Sequence, residues 1–313
     1  MESYEDIYFE VSGRCNARCA WCATGRKNRT GRKTGAFIDP DLFARGIRHL
    51  REYGMIGPKT VVKLFSWGEP LLHPKFTDLV DILNREDVPF GISTNASRPV
   101  FFQAPDALRN LRQVILSLPG FSQKSYDRIQ MLDFENMKTN IARMLENFRE
   151  CGYAGSTIGS YHVYQSNMDE LEAAAAFAKE HDIGLLPSFA YIADWMEYRR
   201  YLLLEMTPER LKEATQSLFL FHVEDRLREL RAFGKCICPQ FDHLVLDEHC
   251  NVLTCCLVDR DYPGYSIGSL FDLSPEKIRT LKRAQPICRE CHELGIWYLI
   301  QGPLPIKRLL TLN

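Results

Sequence analysis

The residues best suited to chemistry come early, in the run Cys15-Asn-Ala-Arg-Cys19-Ala-Trp-Cys22. Thiolates are soft ligands, suited to zinc or to iron–sulfur clusters. A structural zinc takes four ligands, usually two paired elements of Cys or His. This loop offers three thiolates, and no partner lies nearby in sequence to close the set. Three thiolates match a [4Fe–4S] cube with three irons held and one left open. The chain has 11 cysteines, of which Cys151 stands alone and seven more fall between Cys236 and Cys291. Such usage in a chain without a secretory pattern points to metal or redox chemistry rather than disulfides. The uneven placement implies two separate sites.

At these residues the sequence resembles the radical S-adenosylmethionine (SAM) superfamily, whose Cys-x3-Cys-x-aromatic-Cys motif leaves one cluster iron free to chelate SAM. Trp21 fills the aromatic slot. The resemblance implies that an electron from the cluster cleaves SAM to methionine and a 5′-deoxyadenosyl radical. It also implies cofactor-binding roles further along. Ser66-Trp67-Gly68-Glu69-Pro70 looks like the superfamily's Gly-Gly-Glu-Pro segment, with Trp67 in place of the first glycine. Ser93 and Asn95, and Ser117 with Tyr126 and Arg128, resemble the contacts to the ribose and carboxylate of SAM. A guanidinium is the natural bidentate partner for that carboxylate.

The cysteine-dense C-terminal part, with Cys238, the pair Cys255-Cys256, and Cys288-Arg-Glu-Cys291, resembles the shortened "twitch" form of the SPASM domain. By that resemblance Cys238, Cys255, Cys288 and Cys291 hold one auxiliary [4Fe–4S] cluster, with Cys256 as the alternative to Cys255. Two [4Fe–4S] clusters and SAM are therefore the expected cofactors. A structural zinc on the same four thiolates is the competing reading, and a non-catalytic zinc-binding module is the corresponding non-enzyme alternative.

Cys250 takes the place of a turn glycine in Asp247-Glu-His-Cys250-Asn-Val. A cysteine where glycine is wanted carries a backbone cost, and strain can mark a functional site. In this architecture and in Cys250 the chain resembles radical SAM epimerases with a cysteine hydrogen donor, including the one acting on neomycin-type aminoglycosides and those acting on peptides. The expectation is accordingly an epimerase of antibiotic biosynthesis that returns a hydrogen atom from Cys250 to the opposite face of a sugar carbon. The rivals are an alcohol dehydrogenase whose auxiliary cluster accepts the electron, and a peptide-modifying enzyme. Strand alternation puts Glu10 and His162 on inward faces as candidate substrate contacts. A carboxylate there would suit an amino sugar.

Positioning these groups requires a scaffold of alternating strands and helices. Short β-rich runs (IYFEV, TVVKLF, PFGIST, QVILSL, TIGSYHV, GLLPSFAY) alternate with helical stretches up to about residue 195, which predicts an α/β chain with parallel strands. Six such units make a partial (β/α)6 TIM-like barrel, with functional groups at the C-terminal strand ends; periodicity alone also allows a doubly wound sheet. Asp39 or Asp41 caps the second-unit helix, and Thr207 with Pro208 opens another. The expected division is a barrel over 1–204, a helical bridge over 205–232, and a small α+β cluster domain over 233–313. With 45% hydrophobic residues, 25% charged residues and a net charge of −1, no nucleic-acid or membrane-surface tract is indicated. A cytoplasmic enzyme acting on a small molecule, reduced by a flavodoxin or ferredoxin, is the expected setting.

Overall fold

A computed structural model describes residues 3–233 and 238–299 of the chain. Its strands form one sheet in the order β6-β5-β4-β3-β2-β1-β7-β8-β9. The first six are β1 (Tyr4–Phe9), β2 (Ile56–Lys63), β3 (Phe90–Thr94), β4 (Leu111–Leu118), β5 (Ser156–Val163) and β6 (Gly184–Phe189). All neighbouring pairs among these six are parallel. This is the partial barrel expected from the sequence, and every strand run named above contributes to it. The connecting helices are α1 (Ala23–Arg29), α2 (Pro40–Glu52), α3 (Phe76–Arg85), α4 (Gln123–Ile129), α5 (Phe134–Glu150), α6 (Leu171–Glu180) and α7 (Trp195–Leu202). Asp39, not Asp41, caps α2, its side chain accepting from the amides of Asp41 and Leu42.

Alternation along the strands sorts their side chains onto two faces. Ile7 and Phe9 on β1, Val62 on β2 and Val114 and Leu116 on β4 enter the large apolar core shared with Phe43, Ile47 and Leu50 of α2. Tyr8 faces the other way, into a second cluster built on Trp21, Tyr164 and Trp195. The first face is covered by helices and the second is the concave side of the barrel.

The bridge is two helices rather than one. It comprises α8 (Pro208–Ser217) and α9 (Phe221–Phe233), because Leu218 turns extended at φ −106°, ψ 152° and ends the first. Thr207 caps α8 with Pro208 at its first position, as expected. Beyond it, β7 (Leu244–Leu246), β8 (Asn251–Leu253) and β9 (Ser266–Ser269) precede α10 (Pro275–Arg283), α11 (Pro286–Glu293) and α12 (Ile296–Leu299). Strand β7 pairs in parallel with β1, so the cysteine-dense segment extends the barrel sheet instead of standing apart from it. Among the described residues no helix is long and apolar enough to cross a membrane.

Candidate active site and cluster sites

Cys15, Cys19 and Cys22 occupy the loop that leaves β1 and enters α1, at the C-terminal end of the strand. Gly25 lets α1 close onto this loop, since a Cβ there would lie 2.3 Å from the carbonyl oxygen of Cys19. Burial pushes the Cys22 thiol up, an effect the amides of Gly25 and Thr24 at the start of α1 only partly offset. Burial also raises Cys15, with Glu69 and Cys19 adding to the effect, and pushes Cys19 up to about 12. Three half-buried cysteines whose thiols all sit above the ordinary range suit a positively charged occupant that displaces their protons.

The second loop is pinned onto the first. Glu69 donates its amide to the carbonyl of Arg14 at 2.8 Å, and a Cβ on Gly68 would fall 1.7 Å from the carbonyl oxygen of Ser12. Glycine at 68 is therefore demanded by close backbone packing. The Glu69 carboxylate accepts from the amides of Leu71 (3.1 Å) and Asn95 (2.7 Å), and burial still pushes it up to about 7. Pro70 opens the short turn that follows. Asn95 in turn donates its side-chain amide to Asn16 (3.1 Å) and towards the Cys15 sulfur (3.9 Å). Glu69 and Asn95 thus hold the cysteine loop in shape.

Several polar atoms beside this loop have no protein partner. Ser66 Oγ, Tyr126 OH and Gln130 Oε1 are buried without a hydrogen bond among the described residues. Arg128, on α4, is exposed and lines a cavity of about 210 Å³ with Trp21, Tyr164 and Ser166. Trp21 lies under the Arg210 guanidinium at 3.8 Å, a contact from α8 that the sequence reading did not anticipate. Ser93 and Ser117 stand half-buried on the concave face, and Ser117 is in register with Ser160. Orphaned hydroxyls among the described residues, an exposed guanidinium and an adjoining cavity fit a ligand such as SAM.

His162 shares that face, its ring 6.2 Å from Tyr191, and burial drives its imidazole down to about 4, leaving it neutral. Glu10 does not serve as an open substrate contact. Its Oε1 accepts the amides of Trp67 (2.8 Å) and Gly68 (2.7 Å), and its Oε2 accepts from Arg260 at 3.1 Å. The carboxylate is fully buried and committed to the protein.

Cys238, Cys255, Cys288 and Cys291 line one cavity of about 280 Å³, together with Trp195 and Trp297. Cys288 and Cys291 reach it from one face of α11, one turn apart. Among the described residues no three Cys, His, Asp or Glu side chains are gathered as a single metal ion requires. Tetrahedral zinc draws its sulfurs to about 2.3 Å, whereas four thiols spread around a cavity fit a larger cluster. Lys282, almost fully buried, donates to the carbonyls of Gln240 (2.7 Å) and His243 (2.5 Å) and lies close to these thiols. The adjacent cysteines diverge in character: their mutual hydrogen bond brings Cys255 down to about 7 and raises Cys256. Cys256 is absent from the residues lining the four-cysteine cavity, and its thiol donates to Gln240 Oε1 at 3.4 Å.

Cys250 is not at the reaction face. Its sulfur is fully buried in the helix-side core, 3.9 Å from the carbonyl oxygen of Leu42 and 3.3 Å from where a Cβ on Gly46 would be. The sheet separates it from Tyr8 and Tyr191, so the hydrogen-donor role expected for it is corrected. Its φ of 60° does carry the expected strain, within a turn held by Asp247, which accepts from the amides of His249 and Asn251. Cys151 is likewise structural, its thiol donating to the Phe102 carbonyl at 3.4 Å. Cys236 lies outside the described residues.

Residues 9–178 match the Radical SAM superfamily, and the chain belongs to that superfamily. A curated relative from Pyrococcus furiosus, a tungsten-containing aldehyde ferredoxin oxidoreductase cofactor-modifying protein, is 29% identical over 117 residues, covering 37% of this chain and 30% of that protein. The fold is similar to that of Streptococcus suis SuiB bound to its precursor peptide SuiA, with TM-score 0.54 and 13% identity over 95% of this chain and 65% of that one. It is also similar to anSMEcpe with bound AdoMet, with TM-score 0.55 and 15% identity over 92% of this chain and 82% of that one. The chain thus spans 30% of the curated relative's length and 65% of SuiB's. The Radical SAM superfamily is thus the class that the match over residues 9–178 defines.

Proposed function

We propose that this chain is a radical SAM epimerase in which Cys256, not Cys250, is the hydrogen-atom donor. In this reading Cys15, Cys19 and Cys22 hold the SAM-binding cluster. Ser66, Gly68, Glu69, Pro70, Trp21, Ser93, Asn95, Ser117 and Arg128 surround SAM, and Cys238, Cys255, Cys288 and Cys291 hold an auxiliary [4Fe–4S] cluster. SAM held there with the cluster would supply the carbon radical for removing a hydrogen atom from the substrate. The observation that carries the reading is the divergence of two neighbouring thiols: Cys255 lines the four-cysteine cavity, while Cys256 does not, its thiol donating to Gln240 Oε1 at 3.4 Å.

Cys256 gives its S–H hydrogen atom to the far face of the planar substrate carbon. The sulfur radical left behind returns to S–H by taking one electron and one proton, so turnover draws on a one-electron donor of the ferredoxin or flavodoxin kind. The concave face offers Ser93, Ser117, Ser160 and neutral His162. Its carboxylates are occupied, Asp6 by Lys63 at 2.9 Å and Glu10 by Arg260. Such a lining suits the hydroxyls of a sugar or cyclitol better than a polyamine.

The test is turnover in heavy water. An epimerase incorporates deuterium at the inverted carbon, and Cys256→Ala abolishes that product while still consuming SAM. Inversion that persists undiminished in Cys256→Ala refutes the donor assignment. A dehydrogenase is the second reading, favoured by the buried Lys282 cation beside the four thiols, which stabilises added negative charge there. It predicts a product two mass units lighter, with no deuterium at that carbon.

A further inference from the structure

We infer that Arg260, a residue of the C-terminal cysteine-dense segment, is a positioning residue for SAM binding at the N-terminal cluster loop. The inference rests on the reading that Ser66–Pro70 forms part of the SAM site. Glu10, just past the end of β1, is fully buried, and a carboxylate in that position needs a charged or hydrogen-bonding partner on each oxygen. Oxygen Oε1 receives the amides of Trp67 and Gly68 at 2.8 and 2.7 Å. Oxygen Oε2 receives Arg260 Nη2 at 3.1 Å.

The guanidinium is itself fixed from behind. Glu248, 1% exposed, accepts from Arg260 Nη1 at 2.8 Å and from Nη2 at 3.1 Å. Its Oε1 also accepts the amide of Ala36 at 2.9 Å. A continuous set of charge-assisted hydrogen bonds therefore runs from the β7–β8 turn through Arg260 and Glu10 to the backbone of Trp67 and Gly68. That backbone packs directly on Ser12 and Arg14, at the root of the cysteine loop.

Removing the guanidinium leaves two buried carboxylates facing each other without a cation. Relief by protonation or displacement weakens the grip of Glu10 on both amides, and the segment presenting Ser66 loses its fixed position. Partners one step removed from a bound group commonly change its affinity by about 10- to 100-fold.

The experiment compares anaerobically reconstituted full-length wild type with Arg260→Met, Arg260→Lys and Glu248→Gln. SAM affinity is measured by equilibrium dialysis, and the change SAM induces in the electron paramagnetic resonance (EPR) spectrum of the reduced cluster serves as a second readout. The expected result is a Kd about 10-fold or more higher in Arg260→Met at full iron content. The SAM-induced spectral change should then saturate at correspondingly higher SAM, and Arg260→Lys should fall in between, because lysine restores the charge but not the fork. Glu248→Gln turns one of the two oxygens that hold Arg260 into a donor while leaving the Arg260–Glu10 pair in place, and should raise the Kd by less than Arg260→Met does. A wild-type Kd in fully loaded Arg260→Met overturns the proposal. So does weakened binding that Arg260→Lys does not improve. Failure of the wild type to bind SAM would instead refute the reading of the site itself.

Discussion

Replacing Cys250 by alanine should cost stability and spare catalysis. The sulfur is fully buried and packs against α2 beside Gly46, so its removal deletes one heavy atom from a close-packed core. About 0.8 kcal/mol of transfer free energy plus a partial cavity contribution gives a loss of ~1–2 kcal/mol. Alanine retains a Cβ, so the cost of holding φ at 60° persists. Glycine removes that cost, about 1 kcal/mol, while losing one more carbon. Cys250→Gly should therefore be no less stable than Cys250→Ala, although it deletes more. At a few degrees per kcal/mol, the alanine variant should melt ~2–6 °C below wild type. Anaerobic thermal melts provide the stability measurement, and 5′-deoxyadenosine and product formation at a temperature well below both midpoints provide the catalytic one. A Cys250→Ala protein that melts with wild type but makes no product would refute this reasoning and return the thiol to the reaction.

Lys282→Met should lower the midpoint potential of a cluster at the four-cysteine site, because a buried cation favours the reduced state; EPR-monitored titration of a Cys15, Cys19 and Cys22 triple-alanine background reads that cluster alone. Glu69→Gln turns one of two oxygens that accept backbone amides into a donor, leaving a buried N–H unmatched at ~1–3 kcal/mol. Iron retention at the three-cysteine loop should fall, while retention in the C-terminal segment does not. The folded-state pKa of His162 lies below its unfolded value, at about 4, so its stabilising effect is complete above about pH 6.5 and is lost as pH falls through 4. His162→Gln should flatten the dependence of melting temperature on pH within that window, and a slope unchanged from wild type would contradict the buried neutral imidazole.

The six parallel strands and the cysteine loop were legible because both are written in local spacing. Alternation of apolar residues marks a half-buried strand, and three thiols within eight residues mark a ligand loop without help from the rest of the chain. What stayed hidden depends on partners far away in sequence. Glu10 does point inward, as alternation implies, but its oxygens are claimed by Trp67, Gly68 and Arg260, none of which strand periodicity reveals. The turn at Cys250 was recognised as strained, yet which side of the sheet its side chain enters depends on how β7 pairs with β1. The break between α8 and α9 at Leu218 has no proline or glycine to announce it. The functions of Cys255 and Cys256 separate only when the cavity shared with Cys238, Cys288 and Cys291 is seen in three dimensions.

The pairing of β7 with β1 has a consequence for how the molecule comes into being. Strand β1 lies inside the finished sheet, and one of its two hydrogen-bonding edges stays bare until the much later β7 has been synthesised. Bare edges invite association with other chains, and such late, distant pairing makes folding slow. A nascent chain interrupted after the sixth strand would hold its cysteine loop beside an unfinished wall, with the Glu10 carboxylate still waiting for its arginine. Truncation at the bridge should therefore yield an aggregation-prone fragment rather than a smaller working barrel.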